Sequence, residues 1–215
     1  MLEGKKIIVT GSASGMGEAT LKAYVKAGAN VVGMDISDQK GKDISSNANN
    51  IGPGKCSFIH IDVSDKDSVK KAFDLALDEL KTLDVLAHPA AIQGPADASD
   101  VKVEDWDNMF AVNVRGTMLT NQTAFKYMKK NGSGSIINFG SISGLRPEPS
   151  ASSYSAAKEL CIRGQEQRRE HGESIILELT QFFLQLRHPC IMQQEKDPLK
   201  KKTLLLTGEI LFLYL

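Results

Sequence analysis

The sequence has little of what marks metal-binding, secreted and membrane proteins. Its three cysteines, Cys56, Cys161 and Cys190, are widely spaced and form no Cys-x-x-Cys pair, so we expect neither a metal site nor a disulfide framework. No long apolar run is present: MLEGKKIIVTG (1–11) is too short for a signal peptide. The segment TLLLTGEILFLYL (203–215) is too short for a membrane span and carries Glu209. These features predict a cytoplasmic protein without a membrane segment.

An excess of charge of either sign is also missing. Lys and Arg together number 26, as do Asp and Glu, and the isoelectric point is near 6.9. Without a net positive field, binding to a phosphate backbone is not expected, so nucleic acid is excluded as a partner. The length of 215 residues and the 41% hydrophobic content suit one domain with a single sizeable core.

Short apolar runs alternate with amphipathic stretches. The strands are predicted to be rich in Val and Ile without strict polar alternation, which is typical of a parallel sheet buried on both faces. A long helical region is predicted from about Glu104 to Lys130, and NANNIGPGK (47–55) is predicted to be a loop. The pattern predicts an α/β fold with a doubly wound, Rossmann-like parallel sheet; its predicted strands and helices are 5–11, 17–29, 30–35, 57–63, 67–81, 84–90 and 135–141.

A glycine-rich segment, TGSASGMG (10–17), stands between the first predicted strand and the first helix. Glycines at such a turn let the backbone approach a pyrophosphate, whose charge meets the free amides at the start of the helix. The alternative is a turn that is tight for structural reasons only, but the position between strand and helix favours nucleotide binding. The candidate cofactor-binding residues here are Gly11, Ser14, Gly15, Met16 and Gly17.

Acidic residues follow the next two strands. Asp35 ends the second strand, near the spacing at which a carboxylate accepts from the adenosine ribose hydroxyls; the alternative is a helix cap or a solvated loop acid. Its charge would repel a 2′-phosphate and no Lys or Arg compensates beside it, so NAD is favoured over NADP. Asp62, with Val63, closes the third strand and is a candidate for the adenine edge, or else caps the helix after Ser64.

The combination of TGSASGMG, Asn113, Ser141 and YSAAK (154–158) resembles the short-chain dehydrogenase/reductase family. The resemblance covers about residues 3 to 158, with the motifs in the family's order. It implies an oxidoreductase that transfers a hydride between NAD and a small-molecule carbonyl or secondary alcohol. It also implies that an intact member pairs into a homo-oligomer through its long helix and its Tyr-bearing helix.

The resemblance further implies four catalytic residues. Tyr154 is the general acid/base, and Lys158, one helical turn later, favours its phenolate; both also contact the cofactor. Ser141 hydrogen-bonds the substrate oxygen, and Asn113 helps to hold a water that links the lysine to solvent. Taken singly, each has an ordinary structural alternative.

One departure from the family pattern follows the fourth strand. Where the family reads Asn-Asn-Ala-Gly, this chain has His88, Pro89, Ala90 and Ala91, so the turn that faces the cofactor is altered near Ala90. We interpret His88 as a loop histidine rather than a catalytic one.

After Lys158 the family pattern stops. Regrouped by one base, however, the possible codons of residues 158–165 permit Gly-Ala-Val-His-Ser-Trp-Thr, a suitable helix continuation. Those of residues 176–181 permit Ile-Arg-Val-Asn-Ala, and those of residues 186–190 permit Glu-Thr-Pro-Met, both typical of the family. The hypothesis is a one-base loss near the Lys158 codon; an alternative exon is the second explanation.

The chain is therefore divided into a dinucleotide-binding and catalytic domain, 1–158, and a non-family, non-native tail, 159–215. Without the family's later strands we expect the sheet to be incomplete, with an unprotected edge at the fifth strand and poor folding. Two functions remain: an NAD-dependent oxidoreductase, and a non-catalytic product that binds the dinucleotide only.

Overall fold

The computed structural model describes residues 2–94, 96–146, 150–170 and 179–183. In this part of the chain, strands and helices alternate, except that two helices follow one another between the fourth and fifth strands. The strands are β1 (Lys6–Thr10), β2 (Asn30–Asp35), β3 (Lys55–His60), β4 (Val85–His88), β5 (Ser135–Gly140) and β6 (Leu179–Phe183). The helices are α1 (Gly15–Lys26), α2 (Asp38–Ala48), α3 (Lys66–Leu80), α4 (Val103–Phe110), α5 (Gly116–Asn131) and α6 (Ser152–Glu170).

All six strands form one parallel sheet in the order β3-β2-β1-β4-β5-β6. The chain builds outward from β1 to β3 and then crosses back to β4 on the other side of β1. This reversal opens a crevice at the carboxyl ends of β1 and β4, which is where ligands bind in sheets of this kind. The predicted α/β, doubly wound class is confirmed.

The main core lies between one face of the sheet and helices α3 and α5. Ile8, Met34 and Leu86 project from the strands and pack against Phe73 and Met128, and all five are fully buried. Burial of each large apolar side chain contributes roughly 1.5–3 kcal/mol, so this layer supplies much of the stability. The core therefore fixes α5 beneath the carboxyl ends of β4 and β5.

Local sequence explains how two of the helices begin. Asp65 caps α3, since its carboxylate accepts from the Ser68 amide at 2.6 Å. Helix α1 starts at Gly15 with Ser14 as a cap residue that makes no side-chain cap bond, and Glu18 in its first turn complements the helix dipole. The first amides of α1 therefore face the crevice without a side-chain cap.

Three expectations need correction. The helix that begins at Ser152 continues past Lys158 to Glu170, and β6 pairs in parallel with β5, so the expected unprotected edge of β5 is wrong for this structure. His88 is the last residue of β4 and is only 3% exposed, so it is not a loop histidine, because strand pairing continues up to it despite Pro89. The loop predicted at 47–55 is shorter than expected, because α2 ends at Ala48 and β3 begins at Lys55.

The rest of the predicted tail, including 184–215 and its segment TLLLTGEILFLYL, lies outside the described residues. Among the helices that are described, none is both long and apolar enough to cross a membrane.

Candidate active site

The glycine-rich turn lies where β1 ends and α1 begins. Gly11 and Gly15 have φ angles of 61° and 52°, a region that favours glycine. A Cβ on Gly17 would lie 1.9 Å from the Gly11 carbonyl oxygen, and one on Gly11 would lie 2.7 Å from Ala90 Cα. Side chains are thus excluded where the strand, the turn and the loop after β4 meet. Ser14, Gly15 and Met16 are exposed at the mouth of this turn.

Asp35 lies at the end of β2, directly beside this turn. Its Oδ2 accepts from the Ala13 amide at 2.9 Å, and its Oδ1 accepts from the Ser37 amide at 2.9 Å. Each carboxylate oxygen has a further acceptor position, because one amide uses only one lone pair. The two amides fix the carboxylate where the turn ends, which suits a ribose held beside it.

Asp62 and Val63 follow β3 rather than close it. The Asp62 Oδ1 accepts from the Ser64 amide at 2.9 Å and from the Ser64 hydroxyl at 2.7 Å. Val63 is buried in the core, where it packs against Gly116 of α5. Its side chain therefore packs on α5, and Asp65 rather than Asp62 caps α3.

His88 lies beneath the crevice. Its Nδ1 is 2.7 Å from Thr10 Oγ1 and 3.3 Å from Thr120 Oγ1, so the ring lies between the end of β1 and α5. Burial, and secondarily the positive charge of Lys158, lowers the pKa of His88 to about 3. The imidazole is therefore neutral at ordinary pH.

Asn113 lies in a π-helical segment, Ala111–Arg115, between α4 and α5. Its side chain is buried and pairs with the Ile92 backbone, accepting from the amide at 2.8 Å and donating to the carbonyl at 2.9 Å. Its own carbonyl accepts from Thr117 Oγ1 at 2.7 Å and from Cys161 Sγ at 3.1 Å. A π-helical segment frequently marks a functional site. Asn113 here anchors the loop after β4 to the long helical region.

Ser141 follows β5 immediately and begins a short 3-10 helix, Ile142–Gly144. Its Oγ accepts from the Ser143 amide and donates to the Ser143 hydroxyl, both at 3.2 Å. Helix α6 packs closely on this turn, since a Cβ on Gly144 would lie 2.9 Å from the Lys158 backbone. Ser141 and the first turns of α6 are thus brought to the same end of the sheet.

Tyr154 and Lys158 lie on one face of α6. The Lys158 Nζ is 5.7 Å from the centroid of the Tyr154 ring and donates to the Phe139 carbonyl of β5 at 2.8 Å. Lys158 is only 7% exposed, whereas Tyr154 is half-buried. Burial lowers the pKa of Lys158, an effect that the neighbouring Cys161 opposes. The geometry provides a cation fixed beside a phenol that has access to the crevice.

Cys161 is a residue that the sequence did not single out. Besides the Asn113 carbonyl, it reaches Thr117 Oγ1 at 3.9 Å. Burial raises the pKa of its thiol, and the charge of Lys158 partly offsets this. The thiol lies three residues after Lys158, where the predicted family pattern ends, and no sequence motif includes it.

Metal-binding side chains do not gather in the described part of the chain: it contains no group of three or more His, Cys, Asp or Glu arranged to hold an ion.

Comparison with known proteins decides the family. Residues 5–164 match the family described as short chain dehydrogenase. The chain belongs to this family. A curated relative, 3-oxoacyl-[acyl-carrier-protein] reductase of Thermotoga maritima, is 34% identical over 157 residues, which are 73% of this chain and 63% of the relative. The matched part therefore spans less than two thirds of that relative's length.

Two solved structures agree with the fold. A short chain dehydrogenase from Mycobacterium smegmatis has a TM-score of 0.78 at 25% identity and covers 86% of this chain and 77% of its own. A 3-ketoacyl-(acyl-carrier-protein) reductase from Brucella melitensis, complexed with NADH, has a TM-score of 0.72 at 28% identity and covers 78% of this chain and 69% of its own.

Proposed function

We propose that this short-chain dehydrogenase is an NAD-dependent oxidoreductase acting on a carbonyl or a secondary alcohol, with Tyr154 as the general acid/base. The observation that carries the proposal is the buried Lys158 ammonium 5.7 Å from the Tyr154 ring. This pair lies at the carboxyl end of β5, next to the strand that borders the crevice. An ordinary phenol has a pKa near 10, and a fixed cation favours its ionised form.

In this proposal the chain moves a proton while the cofactor moves the hydride. A bound nicotinamide supplies or accepts the hydride. The Tyr154 Oη donates its proton to the carbonyl oxygen during reduction, or accepts one from the alcohol during oxidation. When substrate binds, the Ser141 hydroxyl turns its single proton from the Ser143 hydroxyl to the same substrate oxygen and orients it, while it still accepts from the Ser143 amide. Asn113 holds the loop after β4 in place through Ile92.

The residues of the turn between β1 and α1, and Asp35 at the end of β2, suit NAD. A side chain on Gly11 or Gly17 would fill the turn that a pyrophosphate approaches, and the first amides of α1 provide its donors. Asp35 presents a carboxylate to the adenosine ribose and disfavours a 2′-phosphate. The NADH complex of the Brucella melitensis reductase supports a nicotinamide dinucleotide for this site.

We also propose that residues 1–158 are the dinucleotide-binding and catalytic domain, and that 159–215 are a non-native tail produced by a frame change. The family match, which ends at residue 164, and the 63% coverage of the Thermotoga maritima relative support a boundary near this position. Against it, α6 continues to Glu170 and β6 pairs with β5 in the structure. Resequencing the gene across the Lys158 codon tests it: a one-base difference that restores the family's continuation is expected. An unchanged frame, with the family's later strands absent from the locus, would contradict it.

A second candidate function is a non-catalytic protein that binds the dinucleotide without turnover. It is favoured by the same short coverage, because the family pattern stops before the segments that would build most of a substrate pocket. A homo-oligomer that pairs through α5 and α6 is then predicted only for a protein that contains the complete family sequence.

The two functions are separated by assaying NAD reduction with a panel of secondary alcohols. We call the protein in which the family's reading frame continues after Lys158 the frame-restored protein. It is expected to oxidise at least one of these alcohols, whereas the 215-residue chain is expected to bind NAD with little or no turnover. Absence of NAD-dependent turnover with every alcohol and ketone in the frame-restored protein would overturn the oxidoreductase proposal.

A further inference from the structure

Two buried polar side chains lie side by side where β4 and β5 end. His88 and Asn138 are register partners in this parallel pair, so their side chains project from the same face of the sheet, towards α5. Each is 3% exposed. Neither belongs to the set of residues to which the proposed reaction assigns a role.

The hydrogen bonds of His88 settle which of its nitrogens carries the proton. The Thr120 hydroxyl donates to the Gly116 carbonyl at 2.8 Å, so its single proton is already used. If the Thr10 hydroxyl donates to Nδ1 at 2.7 Å, every polar side-chain hydrogen of His88, Thr10 and Thr120 has an acceptor except the one on Nε2. The opposite tautomer would leave two groups unpaired, the Thr10 hydroxyl hydrogen without an acceptor and Nε2 without a donor. The satisfied arrangement therefore places the ring N–H at Nε2.

Within the described part of the chain, three buried atoms of the pair then lack a partner. His88 Nε2, Asn138 Nδ2 and Asn138 Oδ1 make no hydrogen bond to any described group. They comprise two donors and one acceptor, and leaving all three unsatisfied would cost the full desolvation penalty of each. A buried water typically makes about three hydrogen bonds to such groups and can both accept and donate. Its hydrogen-bonding capacity matches this set of atoms.

We propose that His88 and Asn138 form an internal hydration site that holds one ordered water molecule beneath the crevice. The water accepts from His88 Nε2–H and from Asn138 Nδ2, or donates to Asn138 Oδ1. The site adjoins the anchor of Lys158, because the Phe139 carbonyl that accepts from Lys158 Nζ belongs to the residue after Asn138. The family's usual Asn at position 88 lacks an imidazole, so this site is a property of the present chain and does not depend on the proposed activity.

The first test uses the 215-residue chain and nuclear magnetic resonance. Selective imidazole ¹⁵N labelling is expected to show Nδ1 unprotonated and Nε2 protonated in His88. A cross-peak between His88 Hε2 and water, with the sign of a long-lived contact, is expected in the same sample. A protonated Nδ1, or the absence of that cross-peak, would overturn the proposal.

The second test uses Asn138→Leu, which keeps the branched shape of the side chain and replaces both amide atoms by methyl groups. If the water is held, the substitution removes its partners, and we expect the water cross-peak to vanish and the urea midpoint to fall. If the pair is dry, the substitution removes two unsatisfied groups, and the midpoint should rise. That rise would contradict the hydration site. Should the variant not fold, the cross-peak and tautomer of the parent chain decide alone.

Discussion

Lys158 Nζ lies 5.7 Å from the centre of the Tyr154 ring, while the same nitrogen is tied to the β5 backbone at Phe139. The lysine is thereby held in place by a strand and not only by its own helix. Because its position is set independently of Tyr154, replacing the phenol should leave the cation where it is.

Tyr154→Phe is predicted to lower turnover of the frame-restored protein by roughly 10²–10⁴-fold, because the ring is kept and only the transferable proton is lost. Steady-state kinetics with a secondary alcohol, together with NAD binding, measures both effects, and NAD affinity should change little. The matched control is Tyr127→Phe, which removes a hydroxyl on α5 that donates to Asp74 of α3 and should leave turnover unchanged. Activity within a few-fold of the parent would assign the proton to another group.

Asp35→Ala is predicted to relax the preference for NAD over NADP, because it removes both the acceptor for the ribose hydroxyls and the charge that repels a 2′-phosphate. The ratio of kcat/KM for the two cofactors measures this in the frame-restored protein. Asp35→Asn is the matched control, since it keeps an acceptor oxygen and removes the charge alone. Comparable kcat/KM values for NAD and NADP in the parent would refute the role of Asp35.

His88→Asn is predicted to remove part of the acid sensitivity of the chain. The pKa of His88 is about 3 in the folded protein and near its ordinary 6.5 when unfolded, so the unfolded state takes up a proton first as the pH falls. Stability is thus complete above about pH 6.5 and is lost towards pH 3, with a slope that approaches about 1.4 kcal/mol per pH unit.

Urea unfolding of the parent and of His88→Asn between pH 7 and pH 4.5 measures this slope while most carboxylates remain ionised. Identical pH profiles for the parent and His88→Asn would show that His88 is not buried as neutral imidazole.

Much of the fold could be predicted from the sequence because β strands and their turns have local signals. The run NVVGMD gave β2 as Asn30–Asp35 with the bounds that the structure shows. Helix α2 was missed because DQKGKDISSNA has few apolar residues. Its stability comes from distant contacts instead: Phe58 packs against Gly41, and the Ser45 hydroxyl donates to the Ser57 carbonyl.

The candidate site was predicted less completely, and the reason is also physical. Tyr154 and Lys158 share one helix, so their spacing alone brought them together. The burial of His88, its contact with Thr120 and the bond from Cys161 to Asn113 join segments far apart in the chain, and no local pattern encodes them. The strand β6 was missed for the same reason, since its pairing with β5 is a long-range contact.

Calorimetric titration of NAD into the 215-residue chain, with Gly17→Ala as the matched control, measures whether residues 1–158 bind a dinucleotide. We expect weak but saturable binding by the parent, and none by the variant, whose Cβ would lie 1.9 Å from the Gly11 carbonyl and force the turn to shift. Circular dichroism of both proteins verifies that they keep the same helix content. No NAD binding by the parent, or equal binding by a folded Gly17→Ala variant, would contradict the claim that residues 1–158 form a dinucleotide site.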